Sequence, residues 1–164
     1  MVGLIAFLSS REKATFTELQ GPGQVLPDQG KRHLKPGQAP GRSYASDPPT
    51  SGPHIPVAVT RDGARLSDDQ ILQALETGNV VLVYGSTQPP PALRALADDL
   101  AGPFDPELAK AGQAVILARR PATRGVVALA WRHLLRVRSA TDPALRAFTD
   151  FWLGRPAPQG RDNR

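Results

Sequence analysis

An α+β domain, with one mixed β-sheet of about four to five strands and helices packed on it, is the fold class this 164-residue sequence predicts. Three observations predict it. Val80 to Tyr84, VVLVY, is a continuous β-branched run of the kind found in a strand buried on both faces. Two stretches, beginning at Ser67 and Asp142, open on helix caps and carry apolar residues at steps of three and four. Apolar types make up 40% of the chain, enough for one core.

Each element follows from local chemistry. Residues 1–20 hold the apolar run MVGLIAFL and then the mixed stretch SSREKATFTELQ, in which Phe7, Leu8, Phe16 and Leu19 make no single stripe. The run is too short to span a bilayer and has no basic residue before it. It reads equally as the remnant of a longer anchor or as a first element docked on the core. Residues 21–55 are rich in Gly and Pro, and are expected to be an extended, irregular segment. More than thirty such residues in a compact domain are usually functional or disordered.

The regular core is expected over residues 56–154. Pro56–Thr60 reads as a short strand. Ser67 with Gln70 makes a capping box, Asp68 and Asp69 suit the positive end of the dipole, and Gly78 suits the C-terminal turn, so a helix spans 68–77. Val80–Tyr84 is the buried strand, and PALRALADDLA before Gly102 is the next helix. Gln113–Arg119 and Gly125–Trp131 read as strands, and the short link between them suits an antiparallel hairpin. Asp142-Pro143 opens the last helix, in which Leu145, Phe148 and Trp152 face one way before Gly154. Residues 155–164 have no apolar pattern and are expected to fray. The resulting order of elements is thioredoxin-like, without a C-x-x-C pair.

Composition excludes several chemistries. With no cysteine, disulfides, thiolate metal sites, iron–sulfur clusters and cysteine nucleophiles are ruled out. No G-x-S-x-G elbow and no G-K-[ST] phosphate loop occur. Asp98 and Asp99 are adjacent on a helix and point apart. The net charge is +5, and Arg119, Arg120, Arg124, Arg132, Arg136 and Arg138 lie in a stretch free of acids. Such a patch suits the phosphates of an anionic lipid surface or of nucleic acid, or is a solvated face. Nucleic acid is disfavoured, because Trp131 is the one aromatic among these arginines.

The most specific string is Asp47-Pro48-Pro49-Thr50-Ser51-Gly52-Pro53-His54. Its prolines and glycine make a stiff, turned segment that holds His54 in a defined place. With His33, Tyr44, the later Leu75-Glu76-Thr77-Gly78, Val80–Tyr84, Leu129-Ala130-Trp131 and Ala147-Phe148, it resembles a bacterial family known as domain of unknown function 3105. The resemblance runs from about His33 to the last helix. It implies a domain tethered behind an N-terminal membrane helix, outside the cytoplasmic membrane, with the membrane surface or an envelope protein as partner. It also implies a histidine-rich metal site, for neutral imidazole is the commonest metal ligand. The family's two helix histidines fall on Gln73 and Thr77, which are weak neutral oxygen ligands. His33, His54 and Glu76 remain.

Three functions follow as expectations. The first is a non-enzymatic binding module with a degenerate metal site. The second is a metal-binding protein that holds copper or zinc through His33, His54 and Glu76. The third is a basic module acting through Arg119 to Arg138. Glu76 sits in the last helical turn, where the dipole disfavours a carboxylate, so a partner for it is expected. Tyr44 is expected to anchor the proline-rich loop, and Asp47 to cap the turn before the prolines. If its strand continues unbroken, His133 shares an apolar face with Val127, Leu129, Trp131 and Leu135 as a core or rim residue.

Overall fold

Alternation along one strand divides the core in two. The structure, a computed structural model, describes residues 20–159. Its elements in chain order are β1 (Gln24–Val25), α1 (Asp68–Thr77), β2 (Val80–Tyr84), α2 (Pro91–Ala101), α3 (Pro106–Lys110), β3 (Val115–Arg119), β4 (Val126–Ala130), β5 (His133–Val137) and α4 (Pro143–Trp152). They form one mixed sheet in the order β1-β5-β4-β2-β3. Strands β2 and β3 are parallel, and the other neighbours are antiparallel. The α+β class is as expected.

Every residue of β2 is buried. Val81 and Val83 join Ile71, Leu72 and Leu75 of α1 in one apolar layer. Val80, Leu82 and Tyr84 join Leu93 of α2 and Leu145 and Phe148 of α4 in the other. Side chains two apart share a face, so a continuous apolar run is what a strand between two helical layers needs.

The helix ends follow their caps. Ser67 Oγ accepts from Gln70 N and Gln70 Oε1 from Ser67 N, completing the capping box of α1. Asp142 Oδ1 accepts from Ala144 N at the start of α4. The short α3 was not foreseen, although its Asp105-Pro106 start uses the same device, Asp105 Oδ1 accepting from Glu107 N.

Four expectations are corrected. Pro56–Thr60 is not a strand; it is the chain at 63–64 that reaches the edge of β3, where Gly63 N donates to Leu117 O and Arg119 N to Ala64 O. Two prolines, Pro53 and Pro56, have already taken donors from the 53–56 stretch. Strands β3 and β4 do not form a hairpin, because β2 lies between them. The link crosses the end of β2, with Arg120 N donating to Tyr84 O. The real hairpin is β4–β5, turning at Trp131-Arg132, with Arg132 at φ 64°. That turn places His133 opposite Ala130 and stacks it on Trp152, with ring centroids 3.8 Å apart, whereas Trp131 and Leu129 belong to the α1 layer. The thioredoxin-like order is not reproduced, since one expected strand is missing and β1 and α3 are added.

The tail does not leave the core at residue 155. Ala157 is buried, and its N–H donates to Glu76 O. The apolar run Met1–Leu8 and residues 160–164 lie outside the described residues. Among the described residues, no helix is long and apolar enough to cross a membrane.

Candidate metal centre

Residues 21–55 form a strap laid over α1 and the β4–β5 turn. It has almost no regular structure, so its backbone groups are satisfied one by one. Gly52 N donates to Gly30 O, His54 N to Arg32 O, and Leu34 N to His54 O. Two pieces of the strap therefore run side by side, with His33 and His54 paired as an isolated parallel bridge. This backbone contact brings together two histidines 21 positions apart in sequence.

The PPTSGPH string is clamped from several sides. Ser51 Oγ accepts from Gln29 N and donates to Pro27 O. Arg132 N donates to Thr50 O, and Ile55 N to Asp69 Oδ1. Tyr44 Oη donates to Pro53 O at 2.7 Å. Burial, with the nearby Asp69 and Asp68 carboxylates, pushes its phenol above the ordinary value. Gly52 has φ 124°, and a Cβ there would press on the Tyr44 ring, so the turn admits no side chain at this point. Asp47 does not cap the turn as expected. Its carboxylate pairs with Arg120 Nη2 at 2.7 Å, and its carbonyl accepts from Arg136 Nη2.

The strap and α1 meet at three side chains. His33 Nε2 and His54 Nε2 each lie 2.9 Å from Glu76 Oε2. The ligand atoms of His33, His54 and Glu76 lie within 4.8 Å of one another. Exposure is graded, with the side chain of His54 at 0%, Glu76 at 16% and His33 at 48%. The cluster thus has a closed inner end and an open outer one.

Hydrogen-bond bookkeeping fixes the role of one ring nitrogen of His54. Its Nδ1 is 2.9 Å from Gly52 O. A carbonyl can only accept, so Nδ1 carries a hydrogen and donates it. In the neutral ring Nε2 is then a bare lone pair, and it faces Glu76 Oε2 and, at 3.1 Å, Gln73 Oε1. Turning the Gln73 amide would supply a donor from that side, but an ionised carboxylate has none to offer. Between Nε2 and Oε2 the geometry calls for a proton or a metal ion. A ring nitrogen held by a backbone carbonyl while the other faces the site is also the arrangement that orients a metal-bound histidine.

A protein-family model described as Protein of unknown function (DUF3105) matches residues 39–163. The chain belongs to the DUF3105 family. No curated protein and no solved structure matches it. In this DUF3105 domain the match includes Tyr44, the 47–54 string and Glu76, while His33 precedes it.

The two helix positions that the resemblance assigns to histidine have different fates here. Gln73 reaches the cluster through its contact with His54. Thr77 does not; its Oγ1 turns back to the carbonyls of Gln73 and Ala74 and accepts from Asn79 Nδ2. Sequence reasoning set Gln73 aside as a weak ligand and saw Asp69 only as a dipole partner. The helical spacing of 69, 73 and 76 on one side of α1 was the available signal for both.

Proposed function

We propose that this DUF3105 domain is a binding domain of the cell envelope that holds a divalent transition-metal ion through His33 Nε2, His54 Nε2 and Glu76 Oε2. The observation that carries the reading is the convergence of those three atoms around a histidine whose Nδ1 is already committed to Gly52 O. Two imidazoles and a carboxylate suit zinc or copper(II), and no thiolate is present to favour softer ions. Gln73 Oε1 adds a neutral oxygen beside His54. The half-exposed His33 leaves the outer side of the site accessible, while the buried His54 and the clamped loop hold the inner side rigid. The envelope location is what the family resemblance implies, and fractionation of producing cells tests it.

One observation favours a second reading. The 2.9 Å contacts are ordinary hydrogen-bond lengths, so a metal-free clasp of two histidines on one carboxylate also satisfies them. Metal content separates the two. The protein is loaded with zinc or copper, desalted and analysed by mass spectrometry beside His54→Ala. Near-stoichiometric metal in the wild type and none in the variant supports the metal reading. No metal in either supports the clasp. Substrate turnover abolished by His54→Ala would overturn the assignment as a binding domain.

A further inference from the structure

The six arginines from 119 to 138 divide into two groups of three. Arg119 Nε donates to Ser86 O, and Arg132 Nε to Leu26 O. Arg120 pairs with Asp47 at 2.7 Å and with Asp68 at 3.2 Å. These three hold the chain together. Arg124, Arg136 and Arg138 instead surround one concavity of about 480 Å³, with Gly125 and Val137 completing its wall.

The sheet builds this concavity. Val126 faces Val137 in the β4–β5 ladder, so one further step sets Gly125 against Arg138. Gly125 has φ 65°, and a Cβ there would overlap the Val137 carbonyl oxygen. The missing side chain lets the two backbones approach closely where the ladder ends. Arg136 near the end of β5 and Arg138 just beyond it both line the concavity. Strand β1 pairs with β5 only at His133 and Leu134, so among the described residues the far half of β5 has no strand partner on that side.

Among the described residues, the charge there is left uncompensated. Arg124 and Arg138 form no ion pair among the described residues. The Asp47 carboxylate is taken by Arg120, and Arg136 donates to the Asp47 carbonyl at 2.9 Å. That bond orients its guanidinium, whose other donors have no partner among the described residues. Among the described residues, no acidic residue lines the concavity. Three forked cations around an open space repel one another, and an oxyanion with several acceptor oxygens relieves this through paired hydrogen bonds.

We propose that Arg124, Arg136 and Arg138 form a binding site for a phosphate group, either free or carried by a lipid headgroup. Among the described residues no aromatic side chain lines the site, so they offer no platform for stacking bases. The site is separate from the His33–Glu76–His54 cluster and does not depend on how that cluster functions.

The test uses the full-length, isotope-labelled protein in about 50 mM salt, where screening is weak. Inorganic phosphate is titrated against chloride at matched ionic strength, with amide shifts as the readout. Vesicles of phosphatidylglycerol in phosphatidylcholine are sedimented in parallel with vesicles of phosphatidylcholine alone. Saturable shifts at residues 124–125 and 136–138 are expected, weakened at least about tenfold by Arg124→Ser with Arg138→Ser. Both side chains are exposed, and an unchanged melting temperature verifies that the variant folds. Binding of phosphate but not of vesicles identifies a free phosphate ligand; selective sedimentation with anionic vesicles identifies a headgroup. Absence of both, binding that survives in the double variant, or binding of single-stranded DNA alone overturns the proposal.

Discussion

Glu76→Gln separates a metal ligand from a hydrogen-bonding partner with little change of shape. Glu76 is the only anionic group of the cluster, and both histidine contacts go to one of its oxygens. A ligand that binds only the folded state stabilises it by RT ln(1 + [L]/Kd), about 2.7 kcal/mol at a hundredfold excess over Kd. For a chain of this size that raises Tm by about 5–10 °C. If loss of the carboxylate weakens the metal about a hundredfold, the same concentration gives only about 0.4 kcal/mol, a rise of about 1 °C. The assay is thermal unfolding of each protein with zinc and with chelator. The quantity compared is the zinc-induced shift, so any change in the metal-free stability of the variant cancels. A zinc-induced shift of the same size in Glu76→Gln and wild type would refute the reasoning.

Three further outcomes follow from the packing. Ser67→Ala removes half of the capping box of α1 and is expected to cost about 1 kcal/mol in denaturant unfolding, with an unchanged slope. Gly112→Ala places a Cβ against the Thr77 carbonyl oxygen at a residue with φ 73°, and is expected to cost at least about 2 kcal/mol by the same measurement. Burial pushes the His133 imidazole below its ordinary value; bonds to the Trp131 and Gln20 backbones oppose this, and Arg132 adds to it. The unfolded chain therefore binds more protons below about pH 6.5, so stability is full above that pH and is lost as pH falls towards the lowered folded value. Unfolding titrations across that window should show a shallower acid slope in His133→Leu than in wild type.

What the sequence disclosed was local, and what it hid was pairing between distant segments. Helices α1 and α4 announce themselves through caps whose donors and acceptors lie within three residues. Strand β2 does so through an apolar run that admits no exposed face. The β4–β5 hairpin was missed because its turn lacks the usual residues. Arg132 takes φ 64° without being Gly, Asn or Asp. It is held there from outside, its N–H bonded to Thr50 O and its Nε to Leu26 O. Misreading that turn also misplaced His133, because one unrecognised reversal changes the face of every later residue.

The cluster shows the same division with a different lesson. His54 and Glu76 were legible as candidates from their motifs, and His33 less so, in a stretch without pattern. No spacing rule joins them, since their meeting depends on a parallel bridge between two irregular pieces of chain. The physical clue was an unfavourable one. Glu76 lies in the last turn of α1, which has no basic residue to offset it, and its side chain is mostly buried. A carboxylate so placed loses both water and the helix dipole as partners. The strap supplies what is missing, with two imidazole nitrogens on one oxygen. The Pro/Gly-rich segment is therefore part of the domain's polar core. Its contacts through Ser51, Tyr44, Asp69 and Asp47 hold His54 where Glu76 requires it.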